Sequence, residues 1–127
     1  MQSTPGQPTG TSLLCLSCHD GTVALENYGG ATGGSAYVTT GLVGTDLSND
    51  HPISITYDDV MAGNDGGLNL PSSTASTVTA TGSIQDDLLF SDQIQCASCH
   101  DVHGTAFPSL LRVDNAGSAL CLLCHNK

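Results

Sequence analysis

Three five-residue stretches share one pattern of sulfur and imidazole: Cys15-Leu16-Ser17-Cys18-His19, Cys96-Ala97-Ser98-Cys99-His100 and Cys121-Leu122-Leu123-Cys124-His125. All six cysteines of the chain lie in them. Two thiols at this spacing can add across the vinyl groups of a haem and form thioethers, and the histidine that follows is placed to bind the iron from one side. A Cys-x-x-Cys pair alone could also be half of a zinc site, a redox dithiol or a disulfide. The histidine decides between them. With five histidines in 127 residues, one directly after each of three pairs by chance has odds on the order of one in ten thousand. Zinc ribbons do not require a histidine at that position, and a redox dithiol would need a single motif in a thioredoxin-like setting. The residues therefore predict three haem c groups (iron), attached at Cys15 and Cys18, Cys96 and Cys99, and Cys121 and Cys124, with His19, His100 and His125 as the first axial ligands.

Three six-coordinate irons need six axial ligands, and two histidines remain, His51 and His103. Asn49, Asp50 and Pro52 make a turn around His51, and the proline holds it out of helical geometry. His103 is too close to His100 to reach the opposite face of the same iron, so it is expected on a different haem. One sixth position is left without a histidine. Its candidates are Met61, Met1 or the terminal amine, a water, or another group. A methionine-ligated iron would sit at higher potential than bis-histidine neighbours. An open iron could bind a small molecule. Core filling is the plainer reading of Met61.

The elements that must position these groups are short. Pro5, Gly6, Pro8 and Gly10 predict an extended arm over 1–12. Ser12 is a candidate cap for a helix carrying Leu13, Leu14, Leu16 and the first motif. Residues 27–45 are rich in Gly, Thr and Ser, with Tyr37 and Val38 the expected start of a strand. Ile53, Ile55 and Tyr57 alternate with polar residues as in a half-buried strand. Residues 62–83 predict a Gly/Ser/Thr-rich loop, whose hydroxyls could carry O-linked sugars. Leu88, Leu89 and Phe90 are expected against a haem. Arg112, the only arginine, suits a haem propionate or is a plain surface charge. Asn115 or Ser118 would cap the last helix, which leads into the third motif.

Length bounds the chain at one domain over 1–127. Two Phe, three Tyr, no Trp and fifteen Gly leave little apolar side chain to offset ordering entropy. The expected fold is thus small and mostly irregular, with a few short helices at the motifs, short β-strands, and haems forming the core. The net charge is −10, with Arg112 and Lys127 the only Lys or Arg. That composition argues against nucleic acid binding, which needs basic patches. It suits either a solvated surface or a basic partner. No transmembrane segment is apparent in the sequence. No signal peptide is visible either. Haem attachment of this type takes place outside the cytoplasm, so the chain is expected to be extracellular or periplasmic, with an export signal removed.

Beyond the attachment motifs, Cys15 to Thr22, then Asn49-Asp50-His51-Pro52-Ile53, then Cys96 to His103, and Leu111-Arg112 before the final Cys121 to Lys127, resemble the small multihaem c-type cytochromes of metal- and sulfur-respiring prokaryotes. The resemblance covers roughly residues 13–57 and 94–127. It implies that His51 and His103 are distal ligands, and that the function is electron transfer between closely spaced haems, with redox proteins or extracellular acceptors as partners. Some relatives polymerise into extracellular filaments with a continuous haem chain, which implies self-association through haem contacts between subunits. The missing sixth histidine departs from the all bis-histidine pattern. The alternative is a small-molecule reductase acting at a five-coordinate haem, for which neither a Lys-ligated motif nor a basic substrate pocket is visible.

Overall fold

A computed structural model describes residues 6–104 and 106–126. Five short helices, one two-stranded antiparallel sheet and two 3-10 turns are joined by long irregular segments. The order is α1 (Gly10–His19), β1 (Ile55–Thr56), α2 (Asp59–Asp65), α3 (Ile84–Leu88), β2 (Gln93–Ile94), α4 (Cys96–Cys99), the 3-10 turns Pro108–Leu110 and Ala116–Ser118, and α5 (Ala119–Cys124).

Two of the helices have a clear local cause. Asp58 caps α2 by accepting from the Met61 N–H at 2.7 Å, and Gly66, with φ of +68°, ends it in the left-handed conformation that glycine adopts without penalty. Ser83 and Asp86 cap α3 reciprocally. The sheet pairs Ile55 with Ile94 and Thr56 with Gln93. It places Ile55 and Tyr57 inside and Thr56 outside, as the alternation predicts. The strand is only two residues long because Ser54 turns the backbone to φ +57° just before it.

Several expectations are corrected. No strand begins at Tyr37 and Val38; residues 31–39 are irregular. The segment has no neighbouring strand and closes instead by single bonds, Leu25 N–H to Ala36 O at 2.7 Å among them. The expected arm over 1–12 lies partly outside the described residues. Where it is described, the helix already begins at Gly10, after Thr9, whose N–H donates to Ser54 Oγ at 2.8 Å. Ser12 is not a cap but is fully buried inside α1.

The 62–83 segment begins with the end of α2 and continues as irregular chain, but it is not loose. Ser72 donates to Asp59, Ser76 and Thr79 to Asp87, and Ser83 to Asp86. Of the eight Ser and Thr hydroxyls that composition marks as low-complexity filler, or as sugar acceptors, these four are engaged by carboxylates. These bonds hold the Asp59, Asp86 and Asp87 carboxyls below the usual carboxylate range.

The side-chain core is small: Tyr57, Ala62, Ile84 and Leu88, with Met61, Leu68, Val78, Leu89, Ile94, Leu123 and Cys124 packed around it. Thirteen large apolar side chains are exposed among the described residues, from Tyr28 (79%) to Val23 (38%), Leu14 (75%) and Val60 (71%) among them. No helix among the described residues is long and apolar enough to cross a membrane.

Candidate haem-attachment sites

The three motifs are built alike. Each is a short helix ending at its histidine, and each end is held by a distant segment that supplies hydrogen-bond partners for the last turn, where helix carbonyls lack partners of their own. At the first motif the segment is 41–44: Val43 N–H and Gly44 N–H donate to His19 O at 2.9 and 3.3 Å. At the second it is 109–112: Asp101 N–H donates to Leu110 O at 2.7 Å and Arg112 N–H to Cys99 O at 2.9 Å. At the third it is 67–69: Asn69 N–H donates to Cys124 O at 2.8 Å and its side-chain amide to Leu123 O at 2.8 Å. Tyr57 Oη donates to Asn69 O at 2.7 Å and so ties this segment to the core.

The same segments orient the imidazoles. His19 Nδ1 lies 2.8 Å from Gly41 O, and His100 Nδ1 lies 2.9 Å from Ser109 O. His51 Nδ1 lies 3.0 Å from Pro52 O. A carbonyl oxygen only accepts, so each Nδ1 carries the proton and each Nε2 keeps its lone pair free. This is the arrangement by which proteins fix the tautomer of a metal-binding histidine.

The third motif and His51 come together. Cys121, Cys124 and His125 line a predominantly apolar cavity of about 420 Å³, shared with His51, Met61, Tyr57, Leu88, Leu89 and, from the second motif, Cys99. The ring centroids of His51 and His125 are 6.4 Å apart, with planes at 74°. A metal–imidazole bond of about 2.0–2.1 Å, plus roughly 1 Å from nitrogen to ring centre on each side, would separate two axial imidazoles by about 6 Å.

The remaining candidates are placed as follows. His103 is exposed beside the second motif, its N–H held by Asp101 Oδ1 at 2.9 Å. Met61, on α2, packs against the core and lines the same cavity as His51 and His125. Met1 lies outside the described residues. Leu88 and Leu89 line the cavity, while Phe90 is half-buried beside it in sequence. Arg112 is half-buried against the second motif, with Nη1 3.4 Å from Ala97 O and a buried Nε that has no partner among the described residues. Asn115 and Ser118 share the last cap: Ser118 occupies the capping position, but Asn115 Oδ1 accepts the Leu120 N–H at 3.2 Å.

All six cysteines are free thiols rather than disulfides. Burial pushes the Cys124 thiol up to about 11 and raises Cys99 and Cys15 as well. Among the described residues no group of three or more His, Cys, Asp or Glu side chains converges to hold a metal ion directly. That geometry does not suit a zinc site, which needs four convergent donors. It does suit haem c, for which two sulfurs and one or two imidazoles are disposed around an apolar slot rather than a point. Cys121, Cys124, His125 and His51 would hold the third group in this way.

The sequence did not mark the residues that hold the motifs in place: Gly41, Ser109 and Asn69 act through backbone or amide groups and carry no motif. A second hidden feature is the buried pair Ser12 and Gln95. Ser12 N–H donates to Gln95 Oε1 at 3.2 Å, and Cys96 N–H donates to Ser12 Oγ at 2.9 Å. A polar pair thus joins α1 to α4. Gly10 permits this contact, because its φ is +55° and any Cβ there would meet the Gln95 amide at 3.3 Å.

A family model described as a doubled CXXCH motif matches residues 89–127, which span the second and third motifs. No curated protein matches the chain. The motifs thus indicate covalently bound haem c and a role in electron transfer.

Proposed function

We propose that this chain is an electron carrier, not an enzyme, with three covalently attached haem c groups, one per motif. The observation that carries the reading is the meeting of His51 and His125 across a cavity lined by Cys121 and Cys124. Two thiols for attachment and two imidazoles lining one apolar slot would supply what a low-spin, six-coordinate haem requires. When bound, each haem supplies a one-electron couple that needs no substrate chemistry.

The chain's own residues do the rest. The three thiol pairs fix each group at two points. Gly41, Ser109 and Pro52 carbonyls hold His19, His100 and His51 in the ligating tautomer. The exposed apolar side chains beside the first motif, Leu13, Leu14 and Leu42, gain cover from a porphyrin. The buried Nε–H of Arg112 gains an acceptor if a propionate reaches it. His103 would supply one further ligand to an iron, and the position left without a histidine would fall to a non-histidine group or to another copy of the chain.

The reading places the protein outside the cytoplasm, where such haems are attached. It exchanges electrons with redox proteins or extracellular acceptors, and with further copies of itself in a filament. Exposed Cys121 and Leu122 at the third motif support access there. The test is a pyridine haemochrome with intact mass. Three haems per chain and a low-spin oxidised spectrum are expected, and a colourless protein with six free thiols overturns the reading. Electron microscopy of concentrated protein tests the filament separately.

A further inference from the structure

The three attachment sites touch in a definite order. Ser12 and Cys15 are three residues apart and so share one face of α1. Ser12 Oγ on that face accepts the Cys96 N–H at 2.9 Å, and Ser12 N–H donates to the Gln95 side chain. Cys15 therefore faces the first cysteine of the second motif. The electrostatics agree, since burial first and then the Cys96 thiol raise the Cys15 pKa. On its other side, the second motif meets the third: Cys99 lines the same cavity as Cys121, Cys124 and His125.

We propose that the second site is the middle of the three, adjoining the first through Cys96 and Cys15 and the third across the cavity that Cys99 shares with Cys121 and Cys124. This inference rests on the proposed function and adds the route to it. An electron supplied at either end by a one-electron reductant, such as a reduced redox protein, passes through the haem held by Cys96, Cys99 and His100 to the other end. At each transfer one iron goes from Fe(II) to Fe(III) and its neighbour from Fe(III) to Fe(II), with no bond made or broken. Sequence order and spatial order then coincide, although 77 residues lie between Cys18 and Cys96 and only 21 between Cys99 and Cys121.

The order is tested on the full-length haem-loaded chain by removing one site at a time: Cys15→Ala with Cys18→Ala, Cys96→Ala with Cys99→Ala, and Cys121→Ala with Cys124→Ala. Pulsed electron paramagnetic resonance then reads the dipolar coupling between the two remaining ferric centres. Strong coupling is expected when the first or third site is removed, and its loss when the second is removed. Strong coupling in the Cys96→Ala, Cys99→Ala chain overturns the order. Should that chain not fold, a density map of the unaltered haem-loaded protein decides: the second iron must lie nearer to each of the others than they lie to one another. An unaltered chain without covalent haem refutes the proposed function itself. Three haems with the first and third adjacent refute only the order.

Discussion

The imidazoles of His51 and His125 lie with ring centroids 6.4 Å apart and planes at 74°, although their positions in the chain differ by 74. Nothing in their own side chains brings them together. His51 is set by the turn that Pro52 fixes, and His125 by the short bridge its backbone forms with Leu68. If these two rings are the axial pair of the third haem, His51→Met exchanges a nitrogen for a thioether. It should raise one potential of three by on the order of 100 mV, within the roughly 0.8 V that axial ligands span. His51→Ala should turn one haem of three high-spin. A redox titration and an oxidised-state spectrum read the two effects, and an unchanged spectrum in His51→Ala would contradict the pairing.

The bond between Ser12 Oγ and the Cys96 N–H gives a stability prediction. Ser12→Ala removes that partner in a partly buried site, at a cost of about 0.5–1.5 kcal/mol. Val60→Ala, at a position 71% exposed on α2, should change stability by less than about 0.5 kcal/mol. Denaturant midpoints of the haem-loaded proteins measure both.

Tyr57 has two separable roles. It is almost wholly buried, and its hydroxyl reaches Asn69 O. Burial first, then the Cys124 thiol, hold its phenol protonated well above the usual range. Tyr57→Phe keeps the ring and loses the bond, at about 0.5–1.5 kcal/mol. Tyr57→Ala also empties the core beside the third motif, at about 3–5 kcal/mol by analogy with other aromatic truncations. Denaturation resolves the pair, and equal losses in the two variants would show that the ring contributes nothing.

Acid should loosen the 71–83 segment. The Ser76 hydroxyl first, with Thr79 and the Arg112 charge adding, holds the Asp87 carboxyl below its ordinary range. A depressed carboxylate pKa contributes stability that is present above the unfolded value, near pH 4, and is lost as pH falls through the folded value. Amide exchange at Val78 and Gly82, whose N–H groups bond to Ser76 and Thr79 hydroxyls, should accelerate as pH is lowered below about 4, after correction for the intrinsic pH dependence of exchange. Asp87→Asn should flatten that response while leaving the haem spectrum as it was.

What could be read from the residues, and what could not, divides along physical lines. Cys-x-x-Cys-His announces itself because the chemistry demands those atoms at that spacing. The Ile55 and Tyr57 face was legible because burial imposes a period of two on a strand. Tyr37 and Val38 misled because strand propensity only says that a residue fits a sheet, and no partner strand lies there. Ser12 misled for a similar reason. A serine before an apolar run looks like a cap, yet its hydroxyl serves a chain segment 84 residues away. The 62–83 segment looked idle by composition because hydroxyl–carboxylate bonds leave no periodic trace. The carbonyls that aim His19 and His100 were invisible, since every residue has one.

Gly41 tests that last point. Its carbonyl accepts from His19 Nδ1 at 2.8 Å, and its φ is +71°. A Cβ there would lie 3.7 Å from the imidazole, an ordinary contact, so the obstacle to a side chain is the backbone conformation and not space. Asparagine tolerates that conformation and valine does not. Gly41→Asn should therefore keep the carbonyl, the tautomer of His19 and the potential of the first haem. Gly41→Val should move the carbonyl away, at a cost of about 1–2 kcal/mol in backbone strain, and release the ring to rotate about its bond to iron. A destabilised Gly41→Val chain with an unchanged first-haem potential and unchanged ferric g-values would mean that the glycine matters only to the turn. A shift in both, restored in Gly41→Asn, would show that a single backbone oxygen orients the ligand.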